Sequence, residues 1–81
     1  MNNDDRFLEE QEAYEFLANG IVIQAVKDYR SVSRYLKKNP RNKDALREKQ
    51  TLLRFFESDY FSLLTAINSR VLVDRLDREA Q

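Results

Sequence analysis

The chain has 81 residues, with 14 Lys+Arg against 14 Asp+Glu, no His, no Cys, no Trp, one Gly and one Pro. A chain this short buries only about 60% of its unfolded surface, which limits it to one small domain, residues 1–81. Without Cys there are no disulfides, zinc–thiolate sites or cysteine nucleophiles, and without His the commonest general base and metal ligand are missing.

The first fifteen residues are acidic. Asn3, Asp4 and Asp5 supply capping side chains and put negative charge where a helix dipole favours it. This arm, residues 1–15, reads as a separate acidic segment or as the first part of a long helix. It is also the reverse of a secretion signal, and no run approaches the roughly 18 apolar residues of a membrane span. The expectation is a cytoplasmic protein with no membrane partner.

From Phe7 the apolar positions recur at helical spacing. Phe7, Tyr14, Ala18, Ile21 and Ala25 fall near one stripe, and Val22, Val26, Tyr29, Val32 and Leu36 continue it. Asn19-Gly20 interrupts the run, and a mid-helix Gly costs about 1 kcal/mol relative to Ala. Because the stripe resumes at once, the reading is one long helix with a kink or soft joint near Gly20, set against two helices. Lys37 and Lys38 suit its C-terminal end, and Pro40 forces the stop, because the residue before Pro is pushed out of the helical region.

A second helix follows, with Pro40 in its first turn and Asn39 or Asn42 as its cap. It carries Leu46, Leu52, Leu53 and Phe56 on one side. Ser58 or Asp59 caps a short third helix, in which Tyr60, Leu63, Leu64 and Ile67 follow the inward pattern. Asn68-Ser69 makes the next break, and a last helix over about 69–79 has Val71, Leu72 and Leu76 inward. The fold expected is all-α, a small bundle of three to four helices in which neighbours run antiparallel.

Neutrality overall hides segregation. Residues 1–15 sum to −5, residues 16–26 carry no charge, residues 27–54 sum to +7 and residues 55–81 to −2. Arg30, Arg34, Lys37, Lys38, Arg41 and Lys43 form the densest basic patch. Three readings fit it: a solvated face neutralised by acidic groups, a nucleic-acid contact with salt-dependent affinity, or a docking site for an acidic protein.

Other motifs carry less. Glu9/Glu12 and Asp74/Asp77 each share a helix face, as in helical pyrophosphatases that hold magnesium, but they sit among Arg6, Arg75 and Arg78 and read as solvated surface. No metal or cofactor site is expected. Asn39-Pro40-x-Asn42-x-x-Ala45 resembles the turn between tetratricopeptide repeats, without a second copy. Residues 58–79 fit a DNA-reading helix–turn–helix poorly, because Asp74, Asp77 and Glu79 would oppose phosphates. Serines without a His partner leave no nucleophile, so no enzymatic activity is expected.

Two features suggest protein contacts. Phe55, Phe56, Tyr60 and Phe61 are dense aromatics that read first as core packing: Phe56 and Tyr60 are placed inward, and Phe55 or Phe61, left on the opposite side, is alternatively a partner-binding anchor. Ile21-Val22-Ile23 cannot all face one side of a helix, which places that helix at the bundle centre or beneath a second chain.

Three blocks together carry a resemblance: Gln24-Ala25-Val26-x-Asp28-Tyr29-Arg30, Leu36-Lys37-Lys38-Asn39-Pro40-x-Asn42-x-x-Ala45, and Phe55-Phe56-x-Ser58-x-x-Phe61-x-x-Leu64-Thr65-x-Ile67. In that order, over about residues 22–76, they resemble a family of short uncharacterised proteins carried by prophages and integrative elements of Gram-positive bacteria. Similar sequences have Asp-Gly after the Ile, where this chain has Asn68-Ser69. The resemblance implies a mobile-element origin and no established activity. Small proteins of such elements often act by binding, as counter-defence inhibitors (anti-CRISPR proteins among them), repressor partners or packaging accessories. The leading expectation is a non-enzymatic protein that binds a larger protein or nucleoprotein. A nucleic-acid-binding accessory and a homodimer of unknown role are the alternatives.

Overall fold

The structure is a computed structural model that describes residues 3–81, with side chains from residue 17 onward. It is all-α: α1 spans Asn3–Lys38, α2 Lys43–Phe56, α3 Asp59–Leu64 and α4 Ser69–Glu79. The caps Asn3, Asp4 and Asp5, the stripe positions Phe7 and Tyr14, and the Glu9/Glu12 pair lie outside the described side chains. Among the described residues, no helix is long and apolar enough to cross a membrane.

α1 is continuous through Gly20, so the two-helix alternative does not hold. Gly20 has no positive φ, and a Cβ placed on it would meet nothing within 4 Å. No turn or core contact therefore requires glycine at this position. Gly20→Ala should stabilise the chain by about 0.5–1 kcal/mol through helix propensity, read as a higher melting temperature in dilute solution.

At 1.5 Å per residue, 36 residues give a helix of about 54 Å, and the molecule measures 58 × 20 × 20 Å. α2 and α4, with 14 and 11 residues, can cover only part of that length. Their core contacts fall on the C-terminal half of α1, from Val22 to Leu36.

The first turn is built by asparagines. Asn39 closes α1 by donating its backbone N–H to the Tyr35 carbonyl at 2.9 Å. Asn42, in extended conformation, accepts from Ala45 N–H at 3.0 Å and so caps α2. Pro40 lies in the turn before that cap, not in the first turn of α2 as its N1 preference suggested. Ser58 closes α2 and opens α3 at once: its hydroxyl donates to the Phe55 carbonyl at 2.6 Å and accepts from Phe61 N–H at 3.1 Å. Asn68 caps α4 by accepting from Val71 N–H at 3.1 Å.

α2 returns antiparallel along α1. Ala45 packs with Val32 and Leu36, whereas Phe56, at the other end of α2, packs with Val22, Ala25 and Tyr29. α4 runs parallel to α1, since Tyr29, Arg30 and Lys37 meet Asp77, Glu79 and Gln81 in ascending order. The short α3 makes this possible: it reverses the chain at the far end of α2 and packs against α1 and α2.

The main core holds Val22, Ala25, Tyr29, Phe56, Phe61 and Leu76. Several inward assignments are corrected by it. Of the stripe residues Ile21 and Val22, Val22 is buried and Ile21 is exposed; Leu46 is exposed and Ala45 is buried. Tyr60, Leu63 and Ile67 all point outward, because Ser58 starts a helix of only six residues that ends at Leu64 and turns Phe61 to the core. Val71 is 64% exposed, while Leu72 and Val73 lie against the core around Leu76.

Candidate interaction surfaces

The six basic residues do not form one uncommitted patch. Arg30 grips Glu79 through Nε at 2.8 Å and Nη2 at 3.3 Å, a two-pronged pairing that joins α1 to the end of α4. That hydrogen bond holds the Glu79 carboxyl below the usual carboxylate range and raises the Arg30 guanidinium above its own. Both groups are open to water, so the pair fixes geometry more than it stabilises. Lys37 donates to the Gln81 backbone oxygen at 2.8 Å, and Arg34 Nε donates to the Arg30 carbonyl one turn back at 3.3 Å.

Lys38, Arg41 and Lys43, at the α1–α2 turn, make no ion pair among the described residues. The patch therefore splits. Arg30 and Arg34 line the shallow cleft toward α4, where Arg30 is paired with Glu79, and Lys37 bonds to Gln81, while the turn presents three solvated cations.

The aromatic prediction needs correction at Phe61. It is 1% exposed, with its ring 5.6 Å from Phe56 and 5.7 Å from Phe55, both edge-on. Such edge-to-face pairs are worth about 0.5–1.5 kcal/mol beyond burial, so Phe61 is a core ring and not an anchor. Phe55 is half-buried and keeps an outward edge. Tyr60, placed inward from sequence, stands outside against Phe55 at 6.2 Å.

Phe55 forms one wall of a shallow groove of about 320 Å³ between α1 and α2, shared with Ile21, Gln24, Ala25, Asp28 and Leu52. Gln24 donates to Asp28 at 2.9 Å along its rim. Leu17 lies one turn before Ile21 on the same side of α1. Leu63, 73% exposed, is the most open large apolar side chain of α3. Sequence reasoning flagged Ile21 and Phe55 but missed Leu17, Tyr60 and Leu63. The available signal was the Ser58 cap, which sets the start and hence the phase of α3.

Of the Asp74/Asp77 pair, Asp77 has a structural partner. The Tyr29 hydroxyl donates to it at 2.6 Å, and Lys49 lies over the Tyr29 ring at 5.5 Å. Desolvation, then the hydrogen bond to Asp77, pushes the Tyr29 phenol far above its ordinary range. Ser33 is buried and its Oγ makes no hydrogen bond to the protein.

No family model, curated protein or solved structure matches this chain.

Proposed function

We propose that this protein acts without catalysis, by binding a larger protein or nucleoprotein. The observation that carries this reading is the open apolar surface of α3, where Tyr60 stands against the half-buried Phe55 and Leu63 follows Tyr60 three residues on along the same helix face. A chain with so small a core gains nothing in stability from large side chains left in water, whereas a buried aromatic or aliphatic anchor can dominate an interface. The basic turn at Lys38, Arg41 and Lys43 supplies long-range attraction to an anionic partner and orients the encounter. The resemblance to mobile-element proteins makes a counter-defence inhibitor, such as an anti-CRISPR protein, the class to test first. A nucleic-acid accessory is the weaker reading, because Arg30 and Lys37 are already engaged within the fold.

Capture from a nuclease-treated host lysate tests this. A stoichiometric protein should be retained by the natural chain and lost, with affinity reduced about tenfold or more, by Leu63→Glu. Leu63 is exposed enough for that variant to keep its helical circular dichroism. Capture that disappears with nuclease and depends on Lys38 and Arg41 would replace this reading with direct nucleic-acid binding.

A further inference from the structure

We infer that the seam between α1 and α2 is a docking groove for a basic amphipathic helix of another protein. Two hollows lie along this seam, about 320 Å³ beside Ile21 and Phe55 and about 510 Å³ beside Tyr35 and Asp44. They come within one turn of each other on both helices, Asp28 against Ser31 on α1 and Leu52 against Glu48 on α2. The inference uses neither Tyr60 nor Leu63, so it stands or fails separately from the α3 surface.

Charge names the occupant. Residues 27–54 hold ten Lys and Arg against three carboxylates, Asp28, Asp44 and Glu48. All three carboxylates line the seam, and among the described residues none of the ten cations does. Helical spacing produces the sorting. On α1, Asp28 shares its side with Ile21, Gln24, Ser31 and Tyr35, whereas on α2 Asp44 and Glu48 share theirs with Phe55. Asp28 and Glu48 make no ion pair among the described residues, and Asp44 has only a 3.8 Å contact with Arg47 in which both side chains are largely in water. An acidic strip inside the most basic part of the chain is thus left to an outside cation.

The floor adds the apolar half of the specification. Ile21, Ala25, Leu52 and Phe55 line one end, and Leu17, 65% exposed, extends it by a turn. The fitting segment carries apolar anchors at one end and Lys or Arg on the next turns of the same face. From Ile21 to Tyr35 the seam runs about 21 Å, or about four helical turns. A groove between two packed helices takes a helix on such a face, and no strand among the described residues offers an edge to an extended peptide. A second copy offers no such helix among the described residues. The outward face of α4 mixes Asp74 and Glu79 with Arg75 and Arg78 and has Val71 as its exposed apolar residue, while Arg30 and Arg34 of α1 line the cleft toward α4.

Fluorescence anisotropy of the full chain with a labelled synthetic peptide of about 16 residues tests the inference. The probe places Leu and Lys on one helical face, and a matched control has Glu for each Lys. The basic peptide should bind, more weakly as salt rises, and the acidic one should not. Asp44→Lys with Glu48→Lys should weaken binding about tenfold or more, as should Ile21→Gln, with circular dichroism unchanged because all three residues are exposed. Glu57→Lys with Asp74→Lys makes the same charge change outside the seam and should leave the affinity within about twofold, as should Leu63→Glu. Peptide binding that persists while lysate capture fails would keep this inference and remove the α3 reading. No binding of the basic peptide, or equal loss from both charge reversals, overturns it. So does a chain that associates with itself through the seam, shown by sedimentation of the chain alone and loss of the oligomer on Glu48→Lys.

Discussion

Phe56→Ala should destabilise the protein by about 3–5 kcal/mol, enough to leave much of the population unfolded at room temperature. Phe56 is 1% exposed and sits at the meeting point of α1, α2 and α3. Its ring lies 5.7 Å from Tyr29, 5.7 Å from Phe55 and 5.6 Å from Phe61, so truncation removes three aromatic contacts as well as buried area. Relaxation cannot easily fill the gap. Phe61 is held by the Ser58 cap at the start of α3, and Tyr29 is held by its hydrogen bond to Asp77. Urea unfolding followed by circular dichroism would measure the loss. A shift as small as that of an exposed-site substitution would mean that Phe56 is not the keystone of this core.

Tyr29→Phe should cost about 1.5–3 kcal/mol at neutral pH, the range for a hydrogen bond to a charged acceptor. The phenol is fully buried, and its 2.6 Å bond to Asp77 ties the middle of α1 to the last turns of α4. The same contact makes stability depend on alkaline pH. Tyr29 has a raised folded-state pKa, because burial first and Asp77 second disfavour the phenolate. Its contribution is therefore complete below the unfolded tyrosine value, about 10, and falls progressively as pH rises above it. Ultraviolet titration should find a tyrosine that refuses to ionise until the fold opens, and Tyr29→Phe should abolish that late step. If no such late step appears while the protein is still folded, Tyr29 is not sealed from water as the structure has it.

The sequence carried the helices well, because their boundaries rest on local chemistry. Pro40 bars α1 from continuing, and Asn42, Ser58 and Asn68 each offer a side-chain oxygen to an unpaired N–H two or three residues on. The start of α4 at Ser69 follows from the Asn68 cap, at the position the sequence showed as a break at Asn68-Ser69. The core face of α1 was legible for the same kind of reason: over many turns, Val22, Tyr29, Val32 and Leu36 repeat too regularly to be accidental.

Face assignment missed single positions on the longer helices (Ile21, Leu46 and Val71) and failed as a whole on the shortest one. In the six-residue α3, Tyr60/Leu63 and Phe61/Leu64 are equally good three-residue spacings, and periodicity cannot choose between them. The Phe61 anchor was lost and the Tyr60–Leu63 surface appeared by that single rotation of the helix. The basic patch divided for a different reason. Arg30 and Glu79 are 49 residues apart, and no local pattern announces that α4 will run parallel to α1 and bring its carboxylates alongside.

Thus the helices, the places where they break and most of the apolar stripe of α1 were determined by the sequence alone, since each depends on groups within a few residues of one another. Tertiary structure alone decided the direction of α4, which ring closes the core and which cations remain open to solvent. Those outcomes depend on how separate helices dock, and docking is settled by burying the largest rings together, a competition that no single segment contains.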